Sequence, residues 1–395
     1  MNHKSDSGYL AIKKQVEANT AITPDIFIPL LEEDLSSDPN NERVKQIVGI
    51  NWKSNLILQG LRKNEGKIKV MADPTTLGYF LDMAMNKSGT TGDATNGYTH
   101  VYDVDPSNYY TIEVLRGSYV HRLVGCQITK FGLMFENGHL IIEAEIVAKG
   151  KFNYATLGEA LSGAETSLGM KEEFDPAPAY GLVAGDVVQV WEAGVATDLE
   201  IATIATGSKG ITFESTSITA SEGALITLKP QTPSYSALKR PFKFGQMLVG
   251  FGANETASTV GAGSYANATP VDELKLELDK GLETKHFSGD NNPVILEGVP
   301  DMAFNVKKLL VTPDDVQQWN DIAKKACTII IVGDEISAGV YCTLTIKLHN
   351  IKPKKVDNKT KVGEYIYDET DFFVEYDNTD GKAVAITLKN TVETI

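Results

Sequence analysis

The same local arrangement of residues occurs twice in this chain, and it limits the folds that the chain can adopt. In each copy an apolar run ends at a capping residue and a proline follows directly: Asp73-Pro74 in the first copy and Thr312-Pro313 in the second. Proline is well tolerated at the first helical position, because its missing N–H has no helical hydrogen bond to lose there. The sequence therefore predicts two short helices, each entered from a strand. A duplicated unit is usually an assembly device, because two copies of one surface can occupy two equivalent places in a ring.

The order of elements around the two prolines is also repeated. A strand, a polar loop, two strands, a capped helix and several further strands follow one another over residues 22–153 and again over 242–390. At 395 residues the chain exceeds the usual size of one domain, so two or three are expected. The expected division is an N-terminal polar arm without strand periodicity, a first module, an inserted β domain, a second module and a C-terminal tail, at 1–21, 22–165, 181–235, 242–390 and 391–395.

Two predicted strands combine an apolar face with an acidic one. The first follows the dipeptide Asn137-Gly138, the strongest short-range hairpin signal, and the second covers residues 272–282. Because side chains alternate between the faces of a strand, the acidic faces must meet solvent. They carry five candidate surface residues: Glu143, Glu145, Glu273, Glu277 and Asp279.

The middle of the chain has a different texture. Residues 154–180 are rich in small residues and are predicted to be a connector, and from about residue 181 short strands alternate with Gly and Ser turns, as in a small β-barrel or sandwich. Prolines close this region near residue 230. Its expected core, with Trp191 at one end, is Val188, Val190, Leu199, Ile201, Ile204, Ile211, Phe213 and Leu228.

The residues that carry chemistry in enzymes are not grouped in this sequence. The histidines are scattered, and no nucleophile elbow, P-loop or HExxH pattern occurs. Glu143 and Glu145 lie two apart on one strand face, which is far more typical of a solvated stripe than of a glycosidase pair. Three cysteines without CxxC spacing indicate reduced core residues. The sequence predicts no enzyme, no catalytic residue, no metal site and no cofactor.

Charge and hydropathy exclude further classes. The net charge of −15 gives no basic footprint for nucleic-acid binding, and it favours either simple solubility or a surface that keeps phosphate away. No apolar run is long enough to span a bilayer, so membrane insertion is not expected. The first ten residues lack an apolar signal core, so export is not expected.

Several of these pieces together resemble the major tail tube proteins of long-tailed, non-contractile bacteriophages. They are the capped helix within Lys67–Gly78, the Gly-Cys-Gln-Ile strand within Arg122–Ile128, the Asn-Gly hairpin and the final strand Ala385–Asn390. With the duplication, the chain looks like the two-module branch of that family. The resemblance covers both repeats and does not extend to residues 181–235, which look like an inserted external domain.

The resemblance implies a mainly β fold with two tandem β-sandwich or barrel modules, each flanked by a short α-helix, and a small inserted β domain. In that family three two-module subunits close a pseudo-hexameric ring, and stacked rings form a channel. With about four strands from each module, roughly 24 strands would surround the channel, above the ~16–18 that already leave an aqueous pore. The five acidic candidates would line it, and an acidic lining would let DNA slide without sticking.

The implied partners are further copies of the chain, tail terminator and tail tip proteins at the tube ends, and the tape measure protein and genomic DNA in the lumen without specific binding. The implied location is the virion tail, assembled in the host cytoplasm. The Gly- and Thr-rich loops at 87–100 and 252–269, with the 1–21 arm, are predicted to be disordered in the monomer and to stack rings. The candidate stacking residues are Thr91, Asn96, Asn254, Thr259 and Tyr265.

Two other functions remain open at this point. One is another ring of the same machine, such as a tail terminator or hub. The other is a bacterial surface or adhesion protein with three β domains, against which the lack of a signal peptide counts. Electron microscopy of the purified protein separates the three, since they predict long tubes, single rings or isolated monomers.

Overall fold

Strands dominate the computed structural model of this chain, so the expected mainly β fold is confirmed. The structure describes residues 8–18, 20–38, 40–44, 56–58, 60–104, 108–163, 165–170, 181–204, 210–213, 218–235, 239–260, 268–287, 293–309, 317, 320–321, 323–359 and 367–395.

The elements of the first part of the chain include one long helix. They are β1 (Leu10–Lys14), β2 (Ile26–Ile28), β3 (Leu30–Glu33), β4 (Ser36–Asp38), β5 (Glu42–Val44), β6 (Leu56–Leu58), β7 (Lys63–Met71), α1 (Pro74–Ala84), β8 (Lys87–Asp93), β9 (Gly97–Tyr102), β10 (Tyr110–Arg116), β11 (Tyr119–Glu136), β12 (His139–Val147) and β13 (Gly150–Phe152).

Among the described residues, the elements of the middle part are strands, most of them short. They are β14 (Ala155–Thr156), β15 (Leu161–Ser162), β16 (Ser167–Gly169), β17 (Val187–Glu192), β18 (Val195–Ile204), β19 (Gly210–Phe213), β20 (Thr219–Ala220) and β21 (Leu225–Leu228).

The last part opens with a 3-10 turn at Phe244–Gln246. Its further elements are β22 (Met247–Gly252), α2 (Glu255–Ser258), β23 (Val271–Asp279), β24 (Glu283–Lys285), β25 (Val294–Leu296), β26 (Asp301–Leu309), β27 (Lys325–Ser337), β28 (Val340–Lys359), β29 (Tyr367–Val374) and β30 (Val384–Asn390).

The first and last parts have the same strand order. In the first, antiparallel pairing runs β1–β10–β11–β12–β7–β3, and in the last it runs β22–β27–β28–β29–β26–β23. The chain visits the corresponding strands in the same sequence in both parts. Both contain a long strand, β11 or β28, that changes partners halfway along its length.

Irregularities in the ladders also correspond. The long strands have a register shift at Ile128/Lys130 in β11 and at Pro353/Lys355 in β28. The strands at the other end of each order have one at Leu30/Glu32 in β3 and at Val271/Glu273 in β23. A bulge bends its strand and re-aims the side chains that follow it. Counting from these bulges therefore assigns equivalent positions to the two parts.

The two parts nevertheless share one sheet and one core. β11 pairs with β23 and β9 pairs with β30, so the ladder is continuous from the first part to the last. A single apolar cluster contains residues of both, such as Ile142 and Phe304. The repeated strand order supports the expected duplication, but no gap in the sheet or the core separates two modules.

Helix α1 lies in this core, and the prediction of a Pro-capped helix there is confirmed. The Asp73 side chain accepts hydrogen bonds from the backbone N–H groups of Thr75 at 2.9 Å and Thr76 at 3.1 Å, and Pro74 opens the helix. All eleven of its residues are buried. Thr312 and Pro313, where the second helix is expected to begin, lie outside the described residues, and the described residues 317, 320 and 321 beyond them are helical.

The expected N-terminal arm is wrong over its middle portion. Leu10–Lys14 forms strand β1, which pairs with β2 on one side and β10 on the other, and its first three side chains are fully buried. A strand that is covered on both faces has no need of apolar and polar alternation. For this reason β1 has no strand periodicity in its sequence.

The expected loop over 87–100 is also wrong, because β8 and β9 form a hairpin there. The Asp93 carboxylate accepts hydrogen bonds from the N–H groups of Thr95 at 2.8 Å and Asn96 at 2.9 Å and so closes the turn. Threonine favours strands, and Asp and Gly favour such turns, so the composition that indicated a loop also suits a hairpin.

The small domain begins earlier than expected. Its six-stranded sheet runs β14–β21–β17–β18–β19–β16, so residues of the expected 154–180 connector supply both edge strands. The expected core is confirmed: seven of its members are buried, and Ile204 and Trp191 are half-buried. Trp191 Nε1 donates to Thr227 Oγ1 at 2.9 Å. Val120 and Phe152 of the large sheet complete this core, so the domain is packed against the body of the molecule.

Candidate functional site: the charged face of an eight-position sheet

Eight neighbouring strand positions of the large sheet form a continuous run. Its order is β3/β4, β7, β12, β11, β23, β26, β29 and the C-terminal portion of β28. The first and last parts of the chain each contribute four positions. One face of this run packs on the core, through residues such as Val70, Leu133 and Leu276, which are almost completely buried. The other face is open to solvent and is called the charged face below.

The charged face carries acids and bases, with the acids in excess. Its acidic side chains include Glu32, Glu143, Glu145, Glu273, Glu277, Asp279, Asp301, Asp357, Glu369 and Asp371, and its basic ones include Lys67, Lys69, Lys130, Lys275, Lys307, Lys352 and Lys355. A depression that spans the boundary between the first and last parts is lined by Glu143, Glu145, Glu277 and neighbouring lysines.

One row of side chains crosses that boundary with alternating charge. Its members, on four neighbouring strands, are Lys67, Glu145, Lys130 and Asp279. Lys67 Nζ lies 2.7 Å from a Glu145 carboxylate oxygen, and Lys130 Nζ lies 3.8 Å from Glu145 and from Asp279. Opposite charges that face one another across strands stabilise the pairing of those strands. The row therefore links the two parts electrostatically.

Three lysines of this face, Lys67, Lys69 and Lys307, remain charged near neutral pH. A hydrogen bond to Glu145 raises the pKa of Lys67, and one to Glu136 raises the pKa of Lys69. Hydrogen bonds to Asp272 and Glu273 raise the pKa of Lys307. Each of these shifts favours the ammonium form. The face therefore combines fixed charges of both signs in water.

The five acidic candidates from the sequence all lie on this one face. Their assembly required the pairing of β12 with β11, which the Asn137-Gly138 hairpin signal indicates, and the pairing of β11 with β23, which the sequence does not show. The lysines opposite them, Lys67, Lys69 and Lys130, were not among the candidates. Alternation within β7 and β11 contained that signal, but only the register shows that each lysine faces an acid. The face is consequently mixed rather than purely acidic.

The stacking candidates lie in two other places. Thr91 and Asn96 are exposed on the β8–β9 hairpin. Asn254 caps the short helix α2 by accepting from the Ala257 N–H at 2.9 Å, and Thr259 follows that helix. Thus a section of the 252–269 loop is packed helix rather than free chain. Tyr265 lies outside the described residues.

A buried charge network joins the small domain to the large sheet. Arg122 Nη1 donates to Asp186 Oδ2 at 2.5 Å, and Arg122 Nη2 donates to Glu113 Oε2 at 2.9 Å. Tyr9 Oη donates to the other Glu113 oxygen at 2.5 Å, and the Gln231 N–H donates to Tyr9 Oη at 3.1 Å. Burial and the Glu113 charge raise the pKa of Tyr9. The sequence did not indicate this cluster, since its members are far apart in the chain.

A third group contains Glu255, His349 and Asp380, whose potential ligand atoms lie within 4.8 Å of one another. His349 Nδ1 is 3.0 Å from Asp380 Oδ2, and Lys347 is ion-paired with Glu255. Lys347 already supplies positive charge beside Glu255, so the ion pair occupies one of the two carboxylates of this group. Cys126, Cys327 and Cys342 are free and buried, and burial raises the pKa of each thiol.

Comparisons with known proteins gave no match, either to a family model or to a curated sequence. Across the stretches of chain that the structure describes, no helix is both long and apolar enough to cross a bilayer. The features that bear on function are therefore the geometry of the charged face and the strands at its two ends.

Proposed function

We propose that this protein is a structural subunit of a hollow tube, the tail tube of a long-tailed bacteriophage, and that its charged face lines the channel. The single observation that carries the proposal is the run of eight strand positions, four from the first part of the chain and four from the last, with an apolar face inside the protein and a charged face outside it. Such a sheet is the wall of a wide barrel when several copies are joined.

The strand repeat supports three chains in each ring. The first and last parts supply four positions each in the same order, so each chain supplies two pseudo-equivalent segments of wall. Three chains then give a pseudo-six-fold ring of roughly 24 strands, well above the ~16–18 that leave an aqueous channel. The resemblance of the sequence to two-module tail tube proteins implies the same stoichiometry.

The charge of the face suits passage of DNA. Lysines that bind phosphate release counterions and give strong, salt-dependent attraction. Here Lys67, Lys69 and Lys130 are each ion-paired with a neighbouring carboxylate, and acids are in excess. The face therefore offers hydration without a row of phosphate-binding cations. It requires neither a catalytic residue nor a cofactor.

Electron microscopy of the purified full-length protein tests the proposal. Hollow tubes with three chains in each ring and Glu143 and Glu277 facing the lumen are the expected result. Single rings would favour a terminator or hub instead. Isolated monomers at high concentration, or tubes with the charged face outside, would refute the proposal.

DNA passage is tested in tubes that carry lysine at both Glu143 and Glu277. These residues lie in one row of the face on either side of Gly132, and both side chains are about half-exposed. Ejection should slow, and the slowing should be greater at low salt, because added phosphate contacts depend on salt. The control is Glu283→Lys, since Glu283 is exposed on β24, which belongs to a separate two-stranded sheet. Equal ejection rates for the double variant and the control at two salt concentrations would argue against a lumenal charged face.

A further inference from the structure

The first and last parts of the chain are joined where β11 pairs with β23. The repeat contains a second, equivalent strand edge, and it has no partner among the described strands. In the first part the C-terminal portion of β11 lies between β12 and β23, so it is paired on both sides. In the last part the C-terminal portion of β28 pairs with β29 on one side. Among the described strands, none pairs with its other side. Because β28 corresponds to β11, and β11 pairs with β23, the expected partner of this edge of β28 is the strand of the first part that corresponds to β23.

That equivalent is β3 with its continuation β4. Both β3/β4 and β23 pair with the strand that precedes the capped-helix position, β7 or β26, and both have a bulge after their first residue. β23 continues to β11 on its outer side. Within the described residues, no strand pairs with the outer side of β3/β4. The chain thus carries one open edge at each end of its run of eight positions.

The bulges define the register in which these edges would meet. Lys130 in β11 and Lys355 in β28 each follow the bulge of the long strand, and each lies opposite an acid, Glu145 or Asp371. Asp279 in β23 and Asp38 in β4 are equally far beyond the bulge of their own strands. Since Lys130 lies opposite Asp279, Lys355 belongs opposite Asp38.

Charge supports this register. The alternating row of the first part is Lys67, Glu145, Lys130 and Asp279, and in the last part the row is Asn305, Asp371 and Lys355, with no fourth member. An acid would continue the alternation, and Asp38 is one. The same register places Asp34 at the position opposite Lys359, so residues of opposite sign occur at both ends of the paired edges.

The structure assigns β3/β4 and the C-terminal portion of β28 as the two sides of one interface: the edge of one chain pairs antiparallel with the edge of a second copy, with Asp38 opposite Lys355. The inference rests on the proposed function and specifies its contact between chains. It closes a ring by repeating between chains the β11–β23 junction that the structure contains within one chain. Open strand edges are otherwise sites of uncontrolled aggregation.

One contact protects the β3/β4 edge in the single chain. The Leu35 N–H donates to Glu33 Oε2 at 3.0 Å, and Arg116 Nη2 donates to the Leu35 carbonyl oxygen. Arg116 Nε also donates to Glu33 Oε1 at 2.8 Å. Leu276, the equivalent of Leu35, lies opposite Leu133 of β11. The Glu33–Arg116 pair therefore takes the place of a strand and is displaced when a second copy docks.

Disulfide crosslinking between copies tests the register. Two single variants of the full chain, Asp38→Cys and Lys355→Cys, are mixed and allowed to assemble under mild oxidation. Directly opposed residues of antiparallel strands have Cα atoms about 4.5–5.5 Å apart, within the range that a disulfide spans. A crosslinked dimer should form in the mixture and in neither variant alone. The three native cysteines are buried and do not compete.

Two matched controls fix the interpretation. Lys130→Cys with Asp279→Cys in one chain should crosslink within that chain, because this is the internal copy of the same junction. Asp38→Cys mixed with Asp371→Cys should not crosslink, because Asp371 lies one strand further on, at roughly twice the ~4.8 Å strand spacing.

The possible outcomes test the proposed interface and the proposed tube separately. Tubes without the Asp38–Lys355 crosslink would overturn this edge pairing and leave the proposed function standing. Crosslinked closed rings without tubes would support the pairing and refute the tube. If the internal control crosslinks but the mixture neither crosslinks nor assembles, both proposals are wrong.

Discussion

The first and last parts of the chain share a strand order, yet their surroundings differ. In the first part the N-terminal portion of the long strand β11 is covered by the small domain, and Arg122 is almost fully buried between Glu113 and Asp186. At the same distance before the bulge in β28 stands Lys347, which is about one-third exposed and pairs with Glu255 of the short helix α2. The shared framework thus tolerates a whole domain at one place and a single helical turn at the other.

The C-terminal portions of the same two strands differ in their strand partners. There β11 is paired on both sides and β28 on one. The comparison shows that the register between paired strands is the same in both parts, whereas the elements that pack over those strands differ. An assembly device needs this division, because equivalent junctions must match while outer surfaces are free to change.

The largest expected effect is the loss of Arg122. Arg122→Met leaves the buried carboxylates of Glu113 and Asp186 without their cation, and breaking a buried ion pair costs about 3–5 kcal/mol. Urea unfolding followed by tryptophan fluorescence measures the loss. The matched control, Lys347→Met, breaks an exposed pair and should cost less than about 1 kcal/mol. Equal losses in the two variants would show that the two parts are not covered differently.

The next effect depends on pH and concerns His121. It is buried in β11, and burial, together with the charges of Arg116 and Lys151, lowers the pKa of His121 to about 4. The unfolded chain binds this proton near pH 6.5 and the folded chain only near pH 4, so stability falls as pH decreases through that window, by about 3 kcal/mol in all.

The equivalent residue in β28 is the buried Ile346, so His121→Ile gives the first part the side chain that the last part has. Unfolding free energy measured from pH 7 to pH 4 should then lose this component of its slope. An unchanged slope would show that His121 does not titrate in that window.

The proposed interface between chains should respond to charge with a smaller effect. Lys355→Glu replaces an attraction with Asp38 by a repulsion, and the concentration needed for assembly should rise on the order of tenfold, about 1.4 kcal/mol. Adding Asp38→Lys to the same chain should restore assembly, because the pair is then reversed. Light scattering against protein concentration gives the value. Failure of the double variant to recover would contradict the proposed register.

The smallest effect should follow Arg116→Ala. The substitution removes the donor to the Leu35 carbonyl and so exposes the β3/β4 edge. Because a partly exposed ion pair contributes about 0.2–1 kcal/mol, assembly should start up to about five times faster. The lag time of scattering measures it, and unfolding in urea checks that the monomer is intact. A longer lag in a stable variant would mean that Arg116 supports the edge instead of guarding it.

Local chemistry made several features predictable from the sequence. Asp73-Pro74 defines its helix start, Asn137-Gly138 defines its hairpin, and the core of the small domain follows from alternation. These signals depend on neighbours in the chain. The β8–β9 hairpin was missed because its Gly- and Thr-rich composition also suits a loop, and strand β1 was missed because its partner β10 is distant in sequence. The 154–180 segment was missed for the same reason, since its short strands pair with β21 and β19.

The sequence by itself determined the class of fold, the repeated order of elements and the acidic faces of two strands, because each is written in a local period of side chains. Only the tertiary structure decided that these faces join into one charged surface with lysines opposite the acids. It also decided that Arg122 lies between two carboxylates, and which strand edges have a partner within the chain. These features depend on register between segments far apart in the chain, and backbone pairing, unlike side-chain period, leaves no local pattern in the sequence.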